Sequence, residues 1–473
     1  MLSALCFSVI LPGMKLLLGI SLLAIILFTA CSKNSFINSP DAKLSVSVDT
    51  LKFDTVFTTV GSVTKMFKVF NDNNQKLRLS SIALAGGTAS PFKININGTA
   101  ATQVNNIELE ANDSLYVFVQ ANINPITGNL PFVVSDSIEI NYNGNIRKVQ
   151  LQAWGQNAHF MRDREVLTNE VWNNDLPYVV LGYLYVHPQT TLTINKGTRV
   201  YFHADAPAII DGTLQVNGAV DTVDRVYFQG DRLDEPYNAY PAAWPGIFFR
   251  SGSINSYMNY AMVNNAHQAI ALENPASNSN PKLVLNQTVI NNAFDAGILA
   301  VNSSVNAVNC LITNTGRNIV LSKGGNYQFT HCTVASYGNN YIQHNNPVLQ
   351  VSNTDGASHA ALQATFTNCI FWGDGGLIEN EVATTKNDAA AFNVTFNNVL
   401  WKMKAIPTNI TTTGNIITQQ PEFDSINTSR HYYNYRLKEI SPAIANGSAG
   451  TIIDLDGKVR NTMQTDLGCF EKQ

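Results

Sequence analysis

A chain of 473 residues with a net charge of −4 is long enough for two or three domains with real cores. Only 14% of its residues are charged, against the usual quarter, so no basic surface suits a nucleic acid and no polybasic patch suits a membrane. Asn, Thr, Ser and Gly fill the polar positions, β-branched residues alternate with them, and no stretch beyond residue 31 keeps a helical period, which is an all-β composition.

The first element is the apolar run Leu16 to Cys31, LLLGISLLAIILFTAC, too short to span a bilayer comfortably and fitted to a secretory h-region. Ala30-Cys31 closes it, and polar Ser32-Lys33-Asn34 follows. The arrangement resembles a bacterial lipobox, with Phe28 where that family usually has Leu. The resemblance implies that residues 1–31 are a lipoprotein signal peptide, cleaved before a diacylated Cys31 that anchors the protein in the membrane. Met14-Lys15 supplies a compact positive start, whereas Met1 to Gly13 carries no basic residue, so translation is expected to begin at Met14. Residues 32–42 read as a polar tether.

From Lys43 the chain alternates apolar and polar residues in about eight short strands, separated by Asn71-Asp72-Asn73-Asn74, Gly86-Gly87, Asn112-Asp113 and Asn143-Gly144. This pattern predicts a β-sandwich over residues 43–156. FKVFNDNNQKLRLSSIAL and LEANDSLYVFVQA resemble the immunoglobulin-like domains of exported bacterial proteins.

After a connector of mixed charge, Gly155 to Asn174, short strands recur every six to eight residues from Tyr183. The passages LTINKGTRVYF and IIDGTLQVNG resemble the entry coils of right-handed parallel β-helices. Six segments then align by eye: NYAMVNNA from Asn259, NQTVINNA from Asn286, NCLITNTG from Asn309, HCTVASYG from His331, NCIFWGDG from Asn368 and NVLWKM from Asn398. Their spacing, a little over 20 residues or longer, predicts a solenoid over residues 157–430, with insertion loops at Asn345 to Ala360 and Glu379 to Ala391. The ending YRL, SPA, DLDGKVR and DLGCFE resembles that of many exported β-helix proteins and implies a terminal coil and cap over residues 431–473. As a whole, the chain resembles Gram-negative β-helix repeat lipoproteins with an N-terminal immunoglobulin-like domain.

Few residues suggest chemistry. Asn259, Asn286, Asn309, His331, Asn368 and Asn398 form a column best read as a structural ladder at a turn, amide bonded to amide between coils. Cys310, Cys332 and Cys369 occupy the next position, as a buried stack or with a Cys310–Cys332 disulfide; their spacing fits no zinc site. Asn353-Thr354-Asp355 is similar to a motif of polygalacturonase-type hydrolases, but the further carboxylates those enzymes need do not follow in register. Arg317 and Lys323 are thin evidence for a lyase. Asp-Ser/Thr-apolar triplets, as at Asp49 and Asp113, resemble an O-glycosylation sequon of weak specificity.

The segment best suited to recognition is Gly230 to Trp244, GDRLDEPYNAYPAAW. Tyr237, Tyr240 and Trp244 offer rings to the apolar faces of sugars, while Asp231, Arg232, Asp234 and Glu235 suit hydroxyls or a calcium ion. The alternative is a loop that only covers the first coils. The resulting expectation is an outer-membrane, lipid-anchored protein facing the periplasm or the cell surface. It binds extended glycans or other envelope polymers without cleaving them, and no catalytic residue, cofactor or nucleic-acid partner is assigned. A divergent polysaccharide lyase or glycoside hydrolase, and a structural or adhesion module contacting another protein, remain open.

Overall fold

The computed structural model describes residues 35–125, 131–374 and 376–473. The lipobox reading at Cys31 and the signal peptide lie outside the described residues. The chain divides into two units between Gln156 and Asn157.

In the first unit, strict alternation builds two five-stranded sheets. In Ser114–Ala121, for example, Leu115, Val117, Val119 and Ala121 are buried while Tyr116 and Phe118 face out. One sheet runs Leu44–Val46, Lys65–Asn71, Ser114–Ala121, Phe92–Ile96, Thr99–Ala100. The other runs Thr50–Phe57, Asn145–Gln156, Phe132–Tyr142, Leu77–Leu84, Gln103–Leu109. Phe67, Val69, Ile94 and Val117 of the first share one core with Phe53, Leu79, Ile140 and Leu151 of the second. The expected tether is not free of this unit. Phe36 bridges to Lys76 and lies 4.2 Å under the Arg78 guanidinium, and the Asn143 and Asn145 amides hold the carbonyls of Ile37 and Pro40. Two apolar residues at its start give it a reason to pack.

The second unit is a parallel system of 23 strands between His159 and Ile417. Each strand pairs with the one a coil later, so three faces build up. Thr191–Asn195, Thr213–Asn217, Ser256–Asn259 and Leu283–Asn286 stack in register as a first face. Arg199–Phe202, Val226–Gly230, Ala261–Asn264, Val289–Asn291, Leu311–Thr313 and Thr333–Ser336 form a second. Ala208–Ile210, Ile247–Phe249 and Gln268–Glu273 begin the third. Inward side chains stack on their own kind: Phe329, Phe366 and Phe396 lie 5.4 and 4.8 Å apart, the spacing of neighbouring strands.

The coils begin near the start of the expected 157–430 span, inside the stretch read as a connector. His159–Val166 and Glu170–Trp172, inside the expected connector, already pair parallel with Tyr178–Val186 and Thr191–Asn195. Trp172 is buried and stacks on Tyr178 at 4.2 Å. Both expected insertion loops also contain a third-face strand, Leu349–Ser352 and Val382–Thr385. Four residues are too few to show a period.

Residues 431–473 do not add a coil. Tyr432–Leu437 pairs antiparallel with Phe423–Asn427, outside the parallel system. The remaining tail lies along the second face. There the outward column Val289, Leu311, Thr333, Ile370 and Leu400 is apolar but for Thr333, which accepts from Cys469 N, and Leu455, Leu467, Cys469 and Phe470 bury it. The terminal signature therefore seals a side of the solenoid.

Candidate functional site

Two turn columns flank the second face, and both are rich in asparagine because Asn tolerates the left-handed conformation these corners require. The first turn holds the predicted ladder, with a correction. Asn259 opposes Asn286, but Asn286 opposes Val308. Asn259 and Asn286 end their strands, whereas Asn309, His331, Asn368 and Asn398 sit one position later at φ 52°, 50°, 56° and 51°. Tyr260 and Gln287 fill that corner in the earlier coils, at φ 45° and 44°. The six residues belong to two adjacent columns. The Asn286 amide donates to Asn259 Oδ1 at 2.9 Å.

The later members bind the tail. Asn309 donates to the Ile453 carbonyl at 2.8 Å and accepts from Arg460 at 2.9 Å. Asn368 donates to the Ser448 carbonyl at 2.8 Å and pairs with His331 Nε2 at 2.9 Å. Arg460 is itself buried and paired with Glu471 at 3.0 Å. Burial, helped by the Arg460 charge, pulls the His331 pKa down to about 3, so the imidazole is neutral and accepts from the Asn368 amide. Cys310, Cys332 and Cys369 are free, buried thiols. Their sulfurs face backbone carbonyls at 3.3 to 3.6 Å.

The expected recognition loop forms the second turn of an early coil. Three of its four charged side chains are paired. Asp231 meets His203 at 2.8 Å, and burial pushes its carboxyl up against that pull. Arg232 grips Asp234 at 2.7 and 2.9 Å and lies 3.9 Å over Tyr237. Trp244 is no sugar platform: it is fully buried, stacks on Phe202 at 4.3 Å and donates to the Asn264 carbonyl. Glu235 precedes Pro236 in a cis peptide and does not line the cleft described next. Among the described residues, no three His, Cys, Asp or Glu side chains are grouped to hold a metal ion. Only Asn238 and Ala239 carry the loop to a cleft.

That cleft, about 350 Å³, lies over the second turn. Its floor is the outward column Gln229, Asn264 and Asn291, aligned coil on coil. Beside it runs a second ladder, Asn265, Asn292 and Asn314, at φ 61°, 59° and 52°. The Asn265 and Asn292 amides donate to the Asn238 and Ala239 carbonyls at 2.7 and 2.9 Å, which fixes the loop as one wall. The opposite wall is the inserted turn 337–348 with His431 and Tyr433. Asn339 Oδ1 accepts from the Tyr341 and Ile342 amides at 2.8 and 2.7 Å, a local turn that presents the Tyr341 ring. Tyr341 meets Tyr240 across the walls at 4.8 Å and stacks on His431 at 6.0 Å. Asn314 Oδ1 accepts from Tyr337 N and Tyr435 Oη, leaving its buried Nδ2 without a partner. The sequence carried the signal for this ladder, since each of the first three octamers has an Asn five residues after its corner residue, whereas the next two have Ser336 and Gly373 there.

The inserted turn is anchored from behind. His344 and Glu381, both buried, pair at 2.8 Å, and Glu381 also accepts from Val348 N at 3.2 Å. A larger hollow of about 840 Å³ continues past Asn339 to Asp374, Thr428 and Ser429. Of the other residues considered for chemistry, Arg317 is paired with Asp295, and Asp355 closes a turn on Ala357 N and Ser358 N at 3.0 and 2.7 Å.

No protein-family model and no curated protein matches the chain. Among solved structures, a family 123 glycoside hydrolase from Clostridium perfringens aligns at 10% identity and a TM-score of 0.19, over 28% of this chain and 30% of that one. The PapD-like domain 7 of human CEP192 aligns at 10% and 0.18, over 27% and 91%. The Pseudomonas fluorescens alkylpurine DNA glycosylase AlkC aligns at 12% and 0.17, over 28% and 33%. The first of these matches thus spans less than a third of its relative, and similarity at these scores carries no argument about this chain's function.

Proposed function

We propose that the protein is an outer-membrane lipoprotein, anchored through Cys31, in which an immunoglobulin-like domain precedes a right-handed β-helix that binds an extended glycan without cleaving it. The observation that carries this reading is the cleft over the second turn, where coil-aligned amides form a floor and Tyr341 and Tyr433 stand at one wall, with Tyr240 packed against Tyr341. Amides offer both donors and acceptors to vicinal hydroxyls, and rings pack on the apolar faces of sugars. Cleavage of a glycosidic bond needs two carboxyl groups at a set separation, whereas the lining of this cleft is amide, aromatic and imidazole. The test is native electrophoresis of the full-length chain through gels cast with polysaccharides, each stained afterwards for remaining polymer. Retardation with intact polymer supports the reading. A cleared zone at the protein band overturns it in favour of an enzyme.

A further inference from the structure

Resting on the glycan-binding reading, we infer that the ligand is an uncharged polysaccharide lying along the solenoid axis, one sugar to each coil. The first argument is charge. The floor of Gln229, Asn264 and Asn291 is neutral, and in the adjoining loop Asp231 is spent on His203 and Arg232 on Asp234, while Glu235 lies outside the lining. A uronic or sulfated chain would bring an anion with each repeat into a cleft lined by no Lys or Arg to pair with it. Desolvating an unpaired charge is far costlier than desolvating a hydroxyl that finds an amide.

Register is the second argument. The side chains of Gln229, Asn264 and Asn291 make no hydrogen bond to the described residues, and they repeat at the spacing of neighbouring strands, about 4.8 Å. That step is comparable with the length of one sugar in an extended chain. The neighbouring ladder is different: Asn265 and Asn292 spend their donors on the loop, so the floor column is the one left for a ligand.

Native gels decide between the outcomes. The detergent-solubilised full-length protein is run through neutral polymers (a mannan, a β-glucan, a starch) and acidic ones (polygalacturonate, alginate, chondroitin sulfate), beside Asn264→Leu and Asn291→Leu. The expected result is retardation by at least one neutral polymer, about tenfold weaker in either variant and insensitive to added salt. Retardation by acidic polymers alone, lost as salt rises, overturns this inference but leaves the glycan-binding reading standing. Neutral binding unchanged in both folded variants overturns the assignment to this floor. No retardation by any polymer overturns both.

Discussion

The two asparagine corners of the solenoid use the same residue in the same left-handed conformation to opposite ends. At the first turn Asn309 and Asn368 turn their amides onto the C-terminal tail, which closes over them with Arg460 and Glu471. At the second turn Asn265 and Asn292 hold only the edge of a loop, and the floor beside them stays open. What separates a structural ladder from a binding surface is therefore the partner. An apolar outward column draws a tail onto itself, whereas an amide column leaves a polar cleft.

The sharpest way to break this contrast is at the sealed corner. Replacing Arg460→Met leaves Glu471 buried without its ion partner, an expected loss of about 3–5 kcal/mol in urea unfolding. A loss under about 1 kcal/mol would mean that the tail does not hold the first turn. His331 gives a pH-dependent version of the same test. Its folded pKa lies near 3, below the ordinary 6.5, so only the unfolded chain takes up a proton between those values. Its contribution is complete above pH 6.5 and declines as pH falls toward 3. His331→Asn, which copies Asn309 and Asn368, is expected to remove roughly 3 kcal/mol of the stability lost between pH 6.5 and 4. Equal acid sensitivity in the two proteins would place the protonation elsewhere.

At the open corner the effects should be on binding. Glu381→Gln weakens the anchor behind the inserted turn and should cost about 1–3 kcal/mol of stability, with weaker glycan retention because Asn339 and Tyr341 lose their support. Retention unchanged in that variant would separate the anchor from the cleft. Tyr341→Ala should shift the unfolding midpoint least while lowering affinity about tenfold, the scale of one aromatic contact. A large stability loss without a binding change would make Tyr341 a packing residue.

Much of the solenoid was legible because alternation and corner residues are local. In the aligned segments the corner falls on Asn309, His331, Asn368 and Asn398, yet the first two segments begin one residue early. Only strand register reveals that Tyr260 and Gln287 hold the same corner. The four-residue strand Leu349–Ser352 was invisible for a related reason, since its pairing partners, not its own sequence, make it a strand. The site was half legible. The loop at Gly230 to Trp244 does form a wall, but its aromatic composition misled at Trp244, where an indole so placed fills the core against Phe202. The opposite wall joins Tyr341 to His431, residues brought together only by the tertiary fold.

Hydrogen–deuterium exchange on the full-length protein, with and without a polysaccharide that retards it, tests the central claim most directly. The account predicts new protection at 238–240, 264–265, 291–292 and 339–342, with 309, 331 and 368 unchanged because the tail already shields them. Protection confined to the first turn or the tail, with the second turn unaltered, would contradict it.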